Sequence, residues 1–115
     1  MSLEKFEDII AWQKAGKLTL SVYKTFKCCK DYNFKDQIQR ATVSIMNNIA
    51  EGFERKSNKE FIRFLYIAKG SCGEVRSMLY LAIKLNYIKE EDFQEFYNKS
   101  VEISKILSGL IKSLK

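Results

Sequence analysis

Apolar side chains recur every three or four residues along most of this chain, which is the period of one face of an α-helix. The clearest such run is Phe34, Ile38, Ala41, Ile45, Ile49 and Phe53. Just beyond it, Ser57 and Glu60 form an S-x-x-E capping box, a signature of a helix start. This part of the chain therefore predicts one helix, a sharp corner and the beginning of a second helix.

The same pattern, with its helix start and stop signals, divides the chain into four helices. Asn33 is the predicted N-cap of the second helix, and Asn86, a residue that tolerates the left-handed conformation, is predicted to end the third. The predicted helices run from about Asp8 to Cys28, Asn33 to Phe53 or Glu54, Ser57 to Leu85, and Glu90 to Leu114. Because the connections are short, the predicted fold is an all-α, up-down-up-down antiparallel four-helix bundle that forms a single domain over residues 1–115.

The third and fourth helices differ in how their apolar residues are distributed. The fourth has a narrow predicted seam of Phe93, Phe96, Ser100, Ile103, Leu107, Leu110 and Leu114. The third is apolar over most of its circumference, so we expect it to be covered on more than one side, by a subunit interface. The small residues from Gly70 to Gly73 predict a close helix crossing, either within the chain or between subunits.

Composition and charge narrow the candidate functions. The formal net charge is +6, and the excess of Lys and Arg lies in residues 1–30 and 57–86. An excess of positive charge favours polyanionic partners such as RNA or DNA. The candidate phosphate-binding residues are Lys14, Lys17 and Lys24 on the first helix, with Lys59, Arg63, Lys69 and Arg76 on the third. The alternative is that these cations form an ordinary solvated face.

Signals for catalysis, cofactors or membrane insertion are missing from the sequence. It contains no His and three Cys, of which only Cys28 and Cys29 are adjacent, so neither a metal-ligand spacing nor a disulfide framework is present. No nucleophile–base pair or Gly-rich phosphate loop is evident. We therefore predict a non-enzymatic protein without a metal or cofactor, which does not enter a membrane and resides in the cytoplasm.

Several short motifs resemble the bacterial four-helix bundle family, also called the 23S ribosomal RNA intervening-sequence protein family. They are Gln37-Ile-x-Arg-Ala-x-Val-Ser-Ile, Asn48-Ile-Ala-Glu-Gly52, Glu60-Phe61, Phe64-Leu65 and Gly70-Ser71, with Trp12-Gln13-x-Ala15 and Leu85-x-Tyr87-Ile88 farther out. Departures from the family pattern include Met46, where relatives commonly have Pro. The resemblance implies a compact four-helix bundle that assembles as a homopentamer, and through a distantly similar group it also implies binding to nucleic acid or a ribonucleoprotein.

Two further predictions remain. The first concerns the stretch of the chain that is most similar to the family, and the second concerns the kind of partner that the chain binds. Arg40, Glu51 and Arg55 are predicted to form a buried or half-buried polar network near the corner between the second and third helices, because buried charges need partners. The alternative to nucleic-acid binding is a scaffold that binds another protein and has no nucleic-acid role.

Overall fold

The computed structural model describes residues 3–115, which form four α-helices after one short 3₁₀ turn at Phe6–Asp8. The helices are α1, α2, α3 and α4, and they span Ile10–Thr25, Tyr32–Phe53, Asn58–Lys84 and Glu90–Leu114. The prediction of an all-α fold is confirmed. Within the described range, none of the helices combines the length and apolar character needed to cross a lipid bilayer.

The helices form a square bundle in which each one packs against two neighbours. α2 packs against α1 and α3, and α4 packs against α3 and α1, whereas no Cα atoms of the diagonal pairs α1/α3 and α2/α4 lie within 8 Å of each other. Because connections of only four to six residues join long helices that pack side by side, successive helices must run antiparallel. The bundle measures 43 × 21 × 19 Å.

The predicted apolar faces form the core. Leu18, Ile45, Leu65 and Ile103 are completely buried, one from each helix. The end of α4 differs from the prediction, since Ile111 is buried whereas Leu110 and Leu114 are only partly covered. A strict three-four alternation drifts by about 20° per seven residues relative to a straight helix, so the buried position moves by one residue near the end.

The start of α2 corrects one prediction. The N-cap is Asp31 rather than Asn33, and the Asp31 carboxylate accepts a hydrogen bond from the backbone N–H of Phe34 at 3.1 Å. Asn33 instead lies exposed in the first turn. At α3, Ser57 is the N-cap as predicted and accepts from the Glu60 N–H at 3.2 Å.

α1 is shorter than predicted at both ends. Ile9 is extended, so the helix begins after the 3₁₀ turn, and the chain leaves the helix at Phe26. Asn86, by contrast, ends α3 as predicted, with a φ of 59°. The Asn86 N–H bonds to the Ile83 carbonyl and the Tyr87 N–H to the Ala82 carbonyl, which is the Schellman arrangement that satisfies the last carbonyls of a helix.

Among the glycines, Gly52, near the end of α2, lies closest to a neighbouring helix. A methyl group placed there would lie 2.6 Å from the Cβ of Phe64 and 3.0 Å from the Phe61 ring, on α3. In the predicted close crossing at Gly70–Gly73, the glycines themselves do not approach another helix, because a methyl group on Gly70 would meet no atom within 4 Å and one on Gly73 would meet only the Arg76 side chain of the same helix. Ser71, between them, does contact α2, with its hydroxyl 2.8 Å from that of Ser44. The residue that permits close packing of α2 on α3 is thus Gly52.

Candidate nucleic-acid interface

The candidate lysines on α1 lie on the outer side of the bundle, but they are not equivalent. Lys14 is at the edge of α1 that faces α4 and forms a salt bridge with Glu102 at 3.2 Å. Lys17 and Lys24 are exposed, and no carboxylate of residues 3–115 lies within 4 Å of either amino group. These two are the α1 cations available to an external anion.

The candidate cations on α3 are mostly engaged within the chain. Arg63 pairs with Glu60 at 3.4 Å and lies over the Phe64 ring, 4.8 Å from its centre. Lys59 is exposed in the first turn of the helix.

Lys69 and Arg76 reach across from α3 to a row of serines on α4. The Lys69 amino group donates to the Ser108 hydroxyl at 2.7 Å and to the Ser104 hydroxyl at 3.0 Å, and Arg76 donates to the Ser100 hydroxyl at 3.2 Å. Both cations therefore hold α3 against α4 and satisfy polar groups that would otherwise face a helix interface.

The predicted network of Arg40, Glu51 and Arg55 forms only in part within the chain. Glu51 and Arg55 pair with each other at 2.7 Å with about half of each side chain exposed, whereas Arg40 is 80% exposed and pairs with Asp36 at 2.9 Å. Arg40 and Glu51 lie eleven residues apart on one straight helix, which separates them by about 16 Å along its axis. Arg40 therefore does not join the Glu51–Arg55 pair, because closeness within a sequence motif does not imply closeness in space.

One group of cations and tyrosines was missed by the sequence predictions, except for Lys24. It lies where the end of α1 meets the beginning of α2, and its members are Tyr23, Lys24, Lys27, Tyr32, Lys35 and Gln39, with Asn33 and Asp36 lining the same surface. We call it the α1–α2 patch. The sequence does show Lys and Tyr residues on both sides of the first connection. The patch was not predicted because residues 31–56 carry equal numbers of basic and acidic side chains.

The outer side of α3 carries exposed apolar side chains, as its sequence predicts. Tyr66, Ile67, Tyr80 and Leu81 on α3, with Leu85 just beyond its last residue, are each 42–49% exposed, and the Tyr80 ring also packs against Phe93 and Tyr97 of α4. Since α3 is diagonal to α1 in the bundle, this apolar surface and the outer face of α1 point away from each other.

The described residues include neither a cluster of potential metal ligands nor a buried cysteine in its reactive, deprotonated form. Residues 3–115 contain no cluster of three or more His, Cys, Asp or Glu side chains that could hold a metal ion. Cys72 is buried, and burial raises the pKa of its thiol to about 11. Because the thiolate is the nucleophilic form, this cysteine is unreactive at neutral pH.

Comparisons with known proteins agree with this architecture. A family model described as 23S rRNA-intervening sequence protein matches residues 7–109. A solved structure of a protein with unknown function from the S23 ribosomal protein family of Bacteroides thetaiotaomicron VPI-5482 is similar, with a TM-score of 0.83 and 31% sequence identity. That match covers 90% of this chain and 99% of the other. No curated protein matches the chain.

Proposed function

The chain belongs to the family of 23S rRNA-intervening sequence proteins, and on that premise we propose that it is a non-catalytic, homo-oligomeric bundle that binds nucleic acid or a ribonucleoprotein through basic surfaces. The observation that carries this proposal is the outer face of α1, where Lys17 and Lys24 have no anionic partner within the described chain. Unpaired lysines along a helix are suited to phosphates, which they contact as mobile point charges without reading a sequence.

The binding surface that we propose is the α1 row of Lys14, Lys17 and Lys24. The cations of α3 contribute less, because Lys69 and Arg76 are already hydrogen-bonded to α4. Phosphate contacts alone favour binding that tolerates many sequences and weakens steeply as salt increases, because each neutralised phosphate releases condensed counterions.

Assembly is supported by the apolar outer surface of α3. Four large apolar or aromatic side chains on α3, with Leu85 just beyond it, are in contact with water and form a surface that association would remove from solvent. A pentamer is the assembly that the family resemblance suggests. Since α1 and α3 are diagonal, burying the outer side of α3 leaves the α1 lysines accessible, so assembly and nucleic-acid binding are compatible.

The assembly is tested by light scattering on the parent chain and on Leu81→Lys. We expect the parent mass to be five times 13.5 kDa and the variant to dissociate, because a charge would then lie in the interface. Leu20→Lys, a similar change on the exposed face of α1, is the control that should keep its assembly. A parent that stays at 13.5 kDa at micromolar concentration would refute the assembly.

Nucleic-acid binding is tested with the triple variant Lys14→Gln, Lys17→Gln and Lys24→Gln. Retention on immobilised RNA and DNA is measured over a series of salt concentrations, together with helicity and oligomer size. The matched control, Lys105→Gln, Lys112→Gln and Lys115→Gln, removes the same charge from α4 and from the residue that follows it.

We expect the α1 variant to bind more weakly and with a shallower salt dependence, while the α4 control behaves like the parent. Equal binding by the α1 variant and the parent at every salt concentration would refute the role of α1. A parent that binds neither nucleic acid would favour the alternative of a protein-binding scaffold.

A further inference from the structure

The α1–α2 patch combines positive charge with exposed aromatic rings at one end of the bundle. It shares only Lys24 with the α1 row. Its residues line two adjoining open grooves, one bordered by Tyr23 and the other by Tyr32, and Lys35 and Gln39 belong to both. The two grooves therefore form one continuous surface across α1 and α2.

The charge of this surface is positive because its carboxylates are already occupied. Residues 23–40 contain five Lys or Arg and two Asp, which accounts for half of the formal net charge of +6. Asp36 is paired with Arg40 at 2.9 Å. Asp31 caps α2 and accepts the Tyr87 hydroxyl at 2.7 Å, on a different side of the connection. Among the described residues, no carboxylate lies within 4 Å of the patch lysines.

The two tyrosines are available for stacking. Tyr32 is 71% exposed and Tyr23 is 43% exposed, so both present ring surface to water. Lys35 lies 5.9 Å from the centre of the Tyr32 ring and donates to the Lys27 carbonyl at 2.9 Å. This lysine thus ties the end of α1 to the start of α2 and keeps a cation beside the ring.

We propose that the α1–α2 patch is a binding site for single-stranded nucleic acid, in which Tyr23 and Tyr32 stack on unpaired bases and the neighbouring lysines contact phosphates. The inference rests on the proposed function and adds a strand preference to it. Bases in a duplex are stacked on one another and cannot reach a protein ring, whereas unpaired bases can. Because every base has a flat aromatic face, the site tolerates many sequences.

The experiment measures the fluorescence anisotropy of labelled oligonucleotides with the parent assembly. The probes are a 12-nucleotide uridine strand, a 12-nucleotide thymidine strand and a 12-base-pair DNA duplex, each at several salt concentrations. The aromatic variant is Tyr23→Leu with Tyr32→Leu, and its control is Tyr23→Phe with Tyr32→Phe, which keeps both exposed rings in place. The charge variant is Lys27→Gln with Lys35→Gln, and its control is Lys105→Gln with Lys112→Gln on α4.

We expect the parent to bind both single strands more tightly than the duplex. The aromatic variant should lose at least about thirtyfold in affinity for single strands, because two stacking contacts are removed, while its duplex binding and salt slope stay unchanged. The charge variant should lower the salt slope by about 0.7 for each lysine. Stronger binding of uridine than of thymidine strands would identify RNA as the ligand, and equal binding would support a site that accepts either.

The outcomes separate this inference from the proposed function. Equal binding of single strands and duplex, unchanged in the aromatic variant, would overturn the α1–α2 patch and leave the α1 row standing. A parent that binds no probe at low salt would overturn both. If circular dichroism shows that the double aromatic variant has lost helicity, Tyr32→Leu alone decides the question, because this side chain lies mostly in solvent.

Discussion

Replacing Gly52 with Ala tests the packing of α2 on α3 directly. The added Cβ would lie 2.6 Å from the Cβ of Phe64, whereas carbon atoms in favourable contact are about 3.5–4.0 Å apart. The Phe64 Cβ is fixed to its backbone, so α3 must shift by about 1 Å or the helices must part. Overpacking of this kind costs about 1–3 kcal/mol, and a site with rigid neighbours belongs near the top of that range.

The intrinsic preference of a helix for Ala offsets part of this cost, by about 1 kcal/mol. We therefore expect Gly52→Ala to lower the free energy of unfolding by about 2 kcal/mol. The assay is denaturant unfolding followed by circular dichroism, with the midpoint and the slope compared between variant and parent.

Gly109→Ala is the matched control, because a methyl group at that position meets no atom within 4 Å. It should raise the free energy of unfolding by up to about 1 kcal/mol. If Gly52→Ala were as stable as the parent while Gly109→Ala behaved as expected, the close approach at Gly52 would not limit the packing of α2 on α3.

Two further predictions concern charged side chains. Glu51→Ala should change the free energy of unfolding by only about 0.5 kcal/mol, since its pair with Arg55 is exposed. A loss of several kcal/mol would contradict an exposed Glu51–Arg55 pair. The pKa of Asp31 is lowered by the Tyr87 hydroxyl and by the Phe34 N–H, so its stabilising effect is present above about pH 4 and is lost as the pH falls through the lowered pKa. Asp31→Asn should therefore remove part of the acid sensitivity of unfolding below pH 4, and an unchanged pH profile would show that this carboxyl does not contribute.

The parts of the fold that follow from local periodicity could be predicted from the sequence. Ile45 and Ile49 are buried because they lie on a helical face that repeats every three or four residues, and this face is visible without coordinates. Asn86 could be predicted as the end of α3 because few residues adopt a left-handed conformation readily.

Contacts between helices could not be predicted in the same way. Lys69 belongs by sequence to a row of surface cations, yet its amino group is held by serines on α4 that lie 35 and 39 residues away. Such a contact depends on the register of one helix against the next, which sequence periodicity does not determine. For the same reason the importance of Gly52 emerged only from its distance to α3.

The most direct test of the central proposal is the salt dependence of RNA binding by the parent assembly. The logarithm of the binding constant for a single-stranded RNA is measured against the logarithm of the salt concentration. Two lysine–phosphate contacts, from Lys17 and Lys24 of one protomer, predict a straight line with a slope of about −1.4, and contacts from further protomers make it steeper. An affinity that does not change with salt, or no binding at the lowest salt concentration, would contradict the proposal that basic surfaces of this bundle bind nucleic acid.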